Sequence, residues 1–541
     1  MKSVGLCLLA AVSILGLTAC DASRARPGPR PPGDGGVDVD ARIPSGCTPT
    51  DTDGDGVADA IEGDSDTDGD GTPNVGDSDD DGDGIPDSVE FGASDNPCIA
   101  RNSDSDGLID VLDQDSDNDG ISDADENSLY HTDPTKRDTD GDGVTDLGEI
   151  AAGADPLDST STIPETDFFV VLPYNGEHVP STLSFGTNIE IADVFFLIDR
   201  TGSMGGAISN VNTSLASIAT QVSALIRDVQ FGVGYYQDFS GTTYGSSGDV
   251  PFQIQQTITD NLTAVNAALS MSAAGGGDGP ESSTEALYQT ATGAGITWAS
   301  GSVPPQRCPS APDDFAPRIG YPCFRPGSLP IVVLVTDAQF HNGTGGSQSY
   351  SGIPTAHNFD QAVGALNEIG ARVIGVNLGS AGPDQIAMAT ATGTMTSSGM
   401  PLVYNGAPST TSTQIVNGIT SLVGGTPQDV TTVVRNVLGN PDDFDAAQFI
   451  KSVTPIEGHG PSGSGPMPGL TYTSKDETTF YDVIPGTGID FGIDFWNDVR
   501  PPAATAQIFK AEIVVVGNGV ATLDTHTAYI VVPPEGGVVI F

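Results

Sequence analysis

The sequence predicts a multidomain chain: an acidic repeat segment, then a doubly wound α/β domain, then a β-sandwich at the C-terminus. Three observations predict it. A short acidic template recurs six times between residues 51 and 150. From about Asp193, apolar strand-like runs alternate with helical stretches. After about Thr426 the helical period gives way to a period of two. The length agrees, since 541 residues make three or four domains at roughly 150 residues each.

Charge is the first constraint. The chain carries 72 acidic and 19 basic side chains, a formal net of -53. That balance excludes nucleic acid, whose phosphates need clustered Lys and Arg. It also argues against a basic patch on an anionic membrane. The charge is concentrated. Residues 51–150 hold 33 acidic and 3 basic side chains (Arg101, Lys136, Arg137), a net of -30. A segment of that density is either disordered by self-repulsion or neutralised by bound cations.

Met1-Lys2 opens residues 1–19 as a cationic start, and Val4 to Leu17 is an apolar run too short to span a bilayer. This reads as a signal peptide. It ends Leu17-Thr18-Ala19-Cys20, which resembles the lipobox of bacterial lipoproteins. The resemblance implies that Cys20 is lipidated and anchors the chain, at roughly 0.8 kcal/mol per buried CH₂. Residues 20–50 are rich in Pro, Gly and Arg and read as a flexible tether. Beyond Cys7 and Cys20, four cysteines remain: Cys47, Cys98, Cys308 and Cys323. An exported chain meets an oxidising compartment, so disulfides are expected. Three pairings are open, the most local being Cys47 with Cys98 and Cys308 with Cys323. No C-x-x-C supports zinc or redox chemistry.

The acidic template has oxygen ligands at positions 1, 3 and 5, Gly at 6, an apolar residue or Thr at 7, and a carboxylate at 12. The first loop is Asp51, Asp53, Asp55 and Glu62; the second is Asp66, Asp68, Asp70 and Asp77. The third is Asp79, Asp81, Asp83 and Glu90; the fourth is Asn102, Asp104, Asp106 and Asp113. The fifth is Asp115, Asp117, Asp119 and Glu126; the sixth is Asp138, Asp140, Asp142 and Glu149. Hard oxygens around a sharp Gly turn are what Ca²⁺ requires, and six loops in one register imply several ions. The starts are spaced 15, 13, 23, 13 and 23 residues apart, which leaves no room for EF-hand helices. The alternation resembles thrombospondin type 3 repeats. Over residues 51–158 that resemblance implies a calcium-stiffened rod.

Residues 192–425 read as the α/β domain. Strands are expected at Val194–Ile198, Gln230–Tyr236, Ile331–Val335 and Arg372–Val376. Helices are expected near Ala207–Ile226, Asn261–Ser272, Phe359–Ile369 and Thr413–Leu422. Ligands of such sheets sit at the carboxyl ends of strands. There Asp199-Arg200-Thr201-Gly202-Ser203 puts a carboxylate and two hydroxyls on one turn. Thr336-Asp337-Ala338 ends a second strand, and Asp278-Gly279-Pro280-Glu281 leads a helix. Hydroxyls, carboxylates and waters suit Mg²⁺ or another divalent cation. The pattern resembles the von Willebrand factor A domain, and most closely the A-type domain of integrin β subunits. The resemblance implies a metal-ion-dependent adhesion site formed by Asp199, Thr201, Ser203, Glu281 and Asp337, with Asp278 sharing or replacing the role of Glu281. It also implies two flanking sites. Gly206 and Ala207 stand where one needs acids, and Gly276 replaces a ligand of the other.

Residues 428–541 read as a β-sandwich. Ile489, Phe491, Ile493 and Phe495 alternate with Gly and Asp. Ile508–Val516 and Val520–Leu523 flank Gly517-Asn518-Gly519 as a hairpin, and Tyr529–Val532 and Val538–Phe541 read as two more strands. Gly458–Gly469 reads as a flexible loop. Phe168–Leu172 and Leu183–Ile191 are strand-like, so residues 165–191 are expected either to pair with this sandwich or to extend the α/β domain's edge.

The expected function is that of a binding and adhesion protein, not an enzyme. It would be lipid-anchored to the bacterial envelope, outer membrane or cell surface, with a calcium stalk presenting a metal site to a carboxylate of a protein partner. A structural, calcium-responsive envelope protein is the alternative. A serine hydrolase comes third: Thr201-Gly202-Ser203-Met204-Gly205 is one residue from G-x-S-x-G, with Asp337 and His357 downstream. The metal reading accounts for Asp199, Thr201 and Asp337 together; the hydrolase reading uses neither Asp199 nor Thr201.

Overall fold

The computed structural model describes residues 47–92, 96–161, 163–164, 167–309, 316–460, 471–503 and 506–533. The signal segment, Cys20, nearly all of the tether, Val538–Phe541 and most of the Gly458–Gly469 loop lie outside the described residues. Those described divide into two compact units: 47–117 with 122–136, and 118–121 with 137–533. Among them no helix is long and apolar enough to cross a membrane.

The first unit is built of acidic loops, each followed by a short turn of helix, as at Asp59–Glu62 and Asp87–Glu90. The sixth-position glycines take left-handed φ (Gly56 at 109°, Gly107 at 111°), where a side chain would be strained. Apolar packing is slight: Val57, Phe91, Ala100 and Val111 form the buried cluster. Cys47 and Cys98 are joined 51 residues apart. A closed loop of that length removes about 4 kcal/mol of chain entropy from the unfolded state. Replacing both cysteines with Ser should therefore raise the calcium concentration at which this unit folds, read by circular dichroism across a calcium titration. An unchanged midpoint would show that the bridge contributes nothing there.

In the second unit the α/β sheet runs in the order Val403–Asn405, Arg372–Asn377, Leu329–Thr336, Ile191–Asp199, Asp228–Tyr236, Gln253–Thr259. All neighbours pair in parallel except the last, which is antiparallel. The central strands are apolar on both faces because helices cover both. Val194, Phe196 and Ile198 pack with helices Gly205–Ser223 and Thr411–Gly425, and Phe195 and Leu197 pack on the other side with Ser283–Thr292 and Phe359–Glu368. The edge strands Gln253–Thr259 and Val403–Asn405 and the helix Gly382–Ala391 are additions to the expected elements. The strand QIQQTIT is mostly polar, and the helix GPDQIAMATA carries few large apolar residues to mark its period.

Two further sheets face one another. One orders Phe168–Val171, Ala521–Val532, Gln507–Gly517, Gln428–Asn436, Thr479–Val483 and Ser474–Lys475. The other orders Ile450–His459, Gly488–Phe495 and Val179–Gly186. Phe480 of the first meets Phe491 of the second at 5.2 Å, edge to face. Phe168–Val171 pairs with Ala528–Val531, and Val179–Gly186 pairs with Gly488–Phe495. The α/β domain is thus inserted between strands of one sandwich. Three details differ from the sequence expectation. Val520–Leu523 and Tyr529–Val532 are not separate strands, because Asp524–Thr527 keeps the ladder with Glu512–Val515. Leu183–Ile191 is broken: the first strand ends at Gly186, and Ile191 opens the central α/β strand. Gly458 and His459 belong to a strand, not a loop. Cys308 and Cys323 are joined across 15 residues.

Candidate metal sites

The first group of candidates is the repeat loops. In all six, the carboxylate or amide at position 9 accepts the backbone N–H of position 2, from Thr52 to Asp59 at 2.9 Å through Thr139 to Asp146 at 2.9 Å. That contact closes each loop. Donor atoms of Asp51, Asp53 and Asp55 lie within 4.8 Å of one another, as do those of Asp66, Asp68 and Asp70. In the fourth loop Asn102, Asp104 and Asp106 each cap a following backbone N–H at 2.5–2.9 Å. In the fifth, Asp115, Asp117 and Glu126 belong to the first unit and Asp119 to the second. In the sixth, Asp138 accepts from Gly143 at 2.8 Å, Asp142 accepts from Val144, and Glu149 is buried.

The third loop extends the template. Asp55 and Glu62 of the first loop share a donor cluster with Asp87 of the third, a residue the twelve-position template leaves out. Glu62, Asp80, Asp81, Asp87 and Glu90 are all buried. Both carboxylate oxygens of Glu62, Asp80 and Glu90 lack a hydrogen-bond partner. Burial first, then neighbouring carboxylates, pushes Glu62 up to about 8 and Glu90 to about 10. Orphaned buried carboxylates of one sign fit cations, and the oxygen-only donor set fits calcium.

The second group lies at the carboxyl ends of the α/β strands. Asp199 ends the central strand and is fully buried. Its Oδ1 accepts from the Thr201 amide at 2.8 Å and hydroxyl at 2.7 Å, and its Oδ2 accepts from the Thr336 hydroxyl at 2.7 Å. Ser203 sits exposed on the turn Gly202–Met204, and Asp337 directly follows the strand Leu329–Thr336. Glu281 is 3% exposed, is held by backbone bonds to Gln339 and His341, and has an unpartnered Oε2. Burial, then Asp199, Asp238, Asp278 and Asp249, pushes its carboxyl up to about 10. Asp199 is pushed up to about 6, chiefly by burial.

Asp278 points elsewhere. Its Oδ1 lies 3.3 Å from His341 Nε2, and Asp238 Oδ2 lies 3.4 Å from the same nitrogen. Asp238 is fully buried, takes the Tyr350 hydroxyl at 2.8 Å, and is pushed up to about 7 by burial. Asp238, Asp278 and His341 thus form a second donor cluster, despite the Gly at 276. The glycines serve the backbone instead. A Cβ on Gly275 would meet Asp249 Oδ1 at 1.9 Å, and one on Gly277 would meet the Tyr244 carbonyl at 2.1 Å. Asp249 binds the Gly276 amide at 3.0 Å and so fixes the loop that carries Asp278 and Glu281.

Neither histidine serves Ser203. His357 Nδ1 is bound to Glu285 at 3.0 Å and stacks on Tyr288, and among the described residues no histidine hydrogen-bonds Ser203. Sequence reading missed Asp238, Asp249, His341 and Thr336 as a group. One sign was present: Thr336 sits in the Thr-Asp-Ala motif itself.

Residues 115–136 and 138–159 match a family model described as a bacterial TSP3 repeat. Residues 171–304 match one described as the von Willebrand factor A-like domain of integrin beta-like proteins A–E. No curated protein matches the chain. Among solved structures, a von Willebrand factor type A protein from Catenulispora acidiphila aligns at 13% identity, covering 68% of this chain and 72% of that one, with a TM-score of 0.29. The open conformation of the pilus adhesin SpaC from Lactobacillus rhamnosus GG aligns at 12% identity over 68% of this chain and 45% of that one, TM-score 0.28. Proximal thread matrix protein 1 of the mussel byssus aligns at 15% over 46% and 51%, TM-score 0.27. The chain therefore carries bacterial TSP3 repeats followed by a von Willebrand factor A-like α/β domain and a strand-rich C-terminal region.

Proposed function

We propose that this chain is an envelope-anchored adhesion protein, in which a calcium-stabilised stalk presents a metal-ion-dependent adhesion site to an acidic group of a protein partner. The observation that carries this reading is Glu281: a buried carboxylate with a bare oxygen, its carboxyl raised by burial and then by the charge of Asp199, and lying with Thr201 against Gly276. The charges that raise it are the carboxylates of Asp199, Asp238, Asp278 and Asp249. A divalent cation held by Asp199, Thr201, Ser203, Glu281 and Asp337 supplies the missing positive charge. Magnesium suits that set of carboxylates and hydroxyls. A partner carboxylate would complete the shell. Asp238, Asp278 and His341 would hold a flanking cation that fixes the Asp278–Glu281 loop. Anchoring rests on the lipobox resemblance at Cys20.

Asp199→Ala tests the reading. Capture of partners from surface extracts should fall more than tenfold, and the remaining binding should no longer respond to chelator. If capture and its chelator sensitivity both persist in Asp199→Ala, the adhesion site lies elsewhere.

A further inference from the structure

A third kind of cluster lies in the sandwich. Glu457 and His459 project from the strand Ile450–His459, and Asp490 from the neighbouring strand Gly488–Phe495. His459 Nε2 lies 2.5 Å from Asp490 Oδ2, and donor atoms of all three residues lie within 4.8 Å of one another.

The arrangement depends on a break in register. Pro455 pairs with Phe491, yet Glu457 pairs with Asp490, so Ile456 is an extra residue bulged out of the ladder. Without the bulge, strict alternation would turn Glu457 toward the core. With it, Gly458 faces inward, where a Cβ would meet the Thr471 hydroxyl at 2.4 Å. Glu457 and His459 then share the outer face with Asp490.

Two features of that face call for a cation. Glu457 stands directly opposite Asp490, and like charges so placed destabilise a sheet. His459, when protonated, pairs with Asp490 and offsets part of that repulsion, whereas the Lys475 ammonium is committed to the carbonyls of Pro455 and Ile456; a metal ion would take the place of the imidazolium proton. Among the described residues, the row beside the histidine is occupied by glycines: His459 pairs with Gly488, and Gly488 pairs in turn with Gly186.

We infer that Glu457, His459 and Asp490 form a surface site for one divalent transition-metal cation of the zinc class. The imidazole separates it from the oxygen-only repeat loops, since nitrogen donors favour zinc, copper or nickel over calcium. Three protein donors leave further coordination positions open to water or to a partner's side chain. The inference does not depend on the adhesion-site reading.

The test is equilibrium dialysis of the full chain against micromolar zinc, with calcium and magnesium saturating. Wild type should bind one zinc more than His459→Ala. Glu457→Gln, which keeps the imidazole, should weaken that ion at least about tenfold. His341→Ala should retain it, which separates this site from the flanking cluster. Identical zinc isotherms for wild type, His459→Ala and Glu457→Gln would overturn the proposal. So would uptake only at millimolar zinc, which would mark an adventitious ion only.

Discussion

Removing calcium should unfold residues 51–117 and leave the α/β domain folded. Hydrogen exchange read by mass spectrometry should show amide protection in the repeat loops falling at least a hundredfold in chelator. Peptides from Leu329–Thr336 should keep theirs. The reason is the imbalance between what orders the repeats and what opposes it. Ordering a backbone costs about 1 kcal/mol or more per residue. Against that the loops offer a cluster of four buried apolar residues and short turns of helix. Much of the remaining interior is carboxylate. Glu62, Asp80, Asp81, Asp87 and Glu90 are buried, and Asp55, Glu62 and Asp87 converge. Uncompensated, those groups repel and pay desolvation; with calcium the same groups become the interior. Folding and ion binding are then one equilibrium. The Cys47–Cys98 bridge limits how far the unfolded segment opens but supplies no counter-charge. Unchanged exchange on calcium removal would mean that the loops order without ions, and the calcium reading would fail.

The sequence showed what is local. A twelve-residue template appears in the text because its ligands are two residues apart, and the Asp-Arg-Thr-Gly-Ser turn appears for the same reason. Asp87 joining Asp55 and Glu62 is not visible, because nothing in the template links the third loop to the first. Asp238 is a similar case. It follows the strand Asp228–Tyr236 by two residues, while Asp278 and His341 come from loops 40 and 103 positions later; the parallel sheet brings them together. The insertion of the α/β domain was legible only as two strand-like segments with no partners nearby in sequence. What fixed their partners was register: the alternation of Phe491 and Phe495 against Leu183 and Val179. The bulge at Ile456 had no sequence signal, since Pro455 reads only as an edge-strand residue.

Glu281→Gln should stabilise the metal-free protein and abolish its stabilisation by magnesium. In the metal-free state Glu281 is raised to about 10, with burial the first cause and four carboxylates the second. A carboxyl whose folded pKa lies above its unfolded value binds more protons folded than unfolded. Stability is therefore greatest below pH about 4.5 and falls as pH rises through the window to about 10. At pH 7 the accumulated loss is about 3 kcal/mol at 1.36 kcal/mol per unit. Asp199, raised to about 6, and Asp238, raised to about 7, add to the same slope at its acid end. A bound cation reverses the sign, because it favours the ionised form. Wild type in chelator should thus melt at falling temperature from pH 5 to pH 9, and magnesium should flatten the curve. The glutamine variant removes the largest contributor. Its amide can donate to the carboxylates that repel Glu281, so its metal-free melting temperature at pH 7 should rise by roughly 5–10 °C. Magnesium should then add little, since one ligand is lost. A neutral surface carboxylate would give none of this, and a merely structural Glu281 would give loss of stability in both states. If Glu281→Gln melts lower than wild type in chelator, or gains as much from magnesium as wild type does, Glu281 is not a ligand held in readiness by its neighbours' charge.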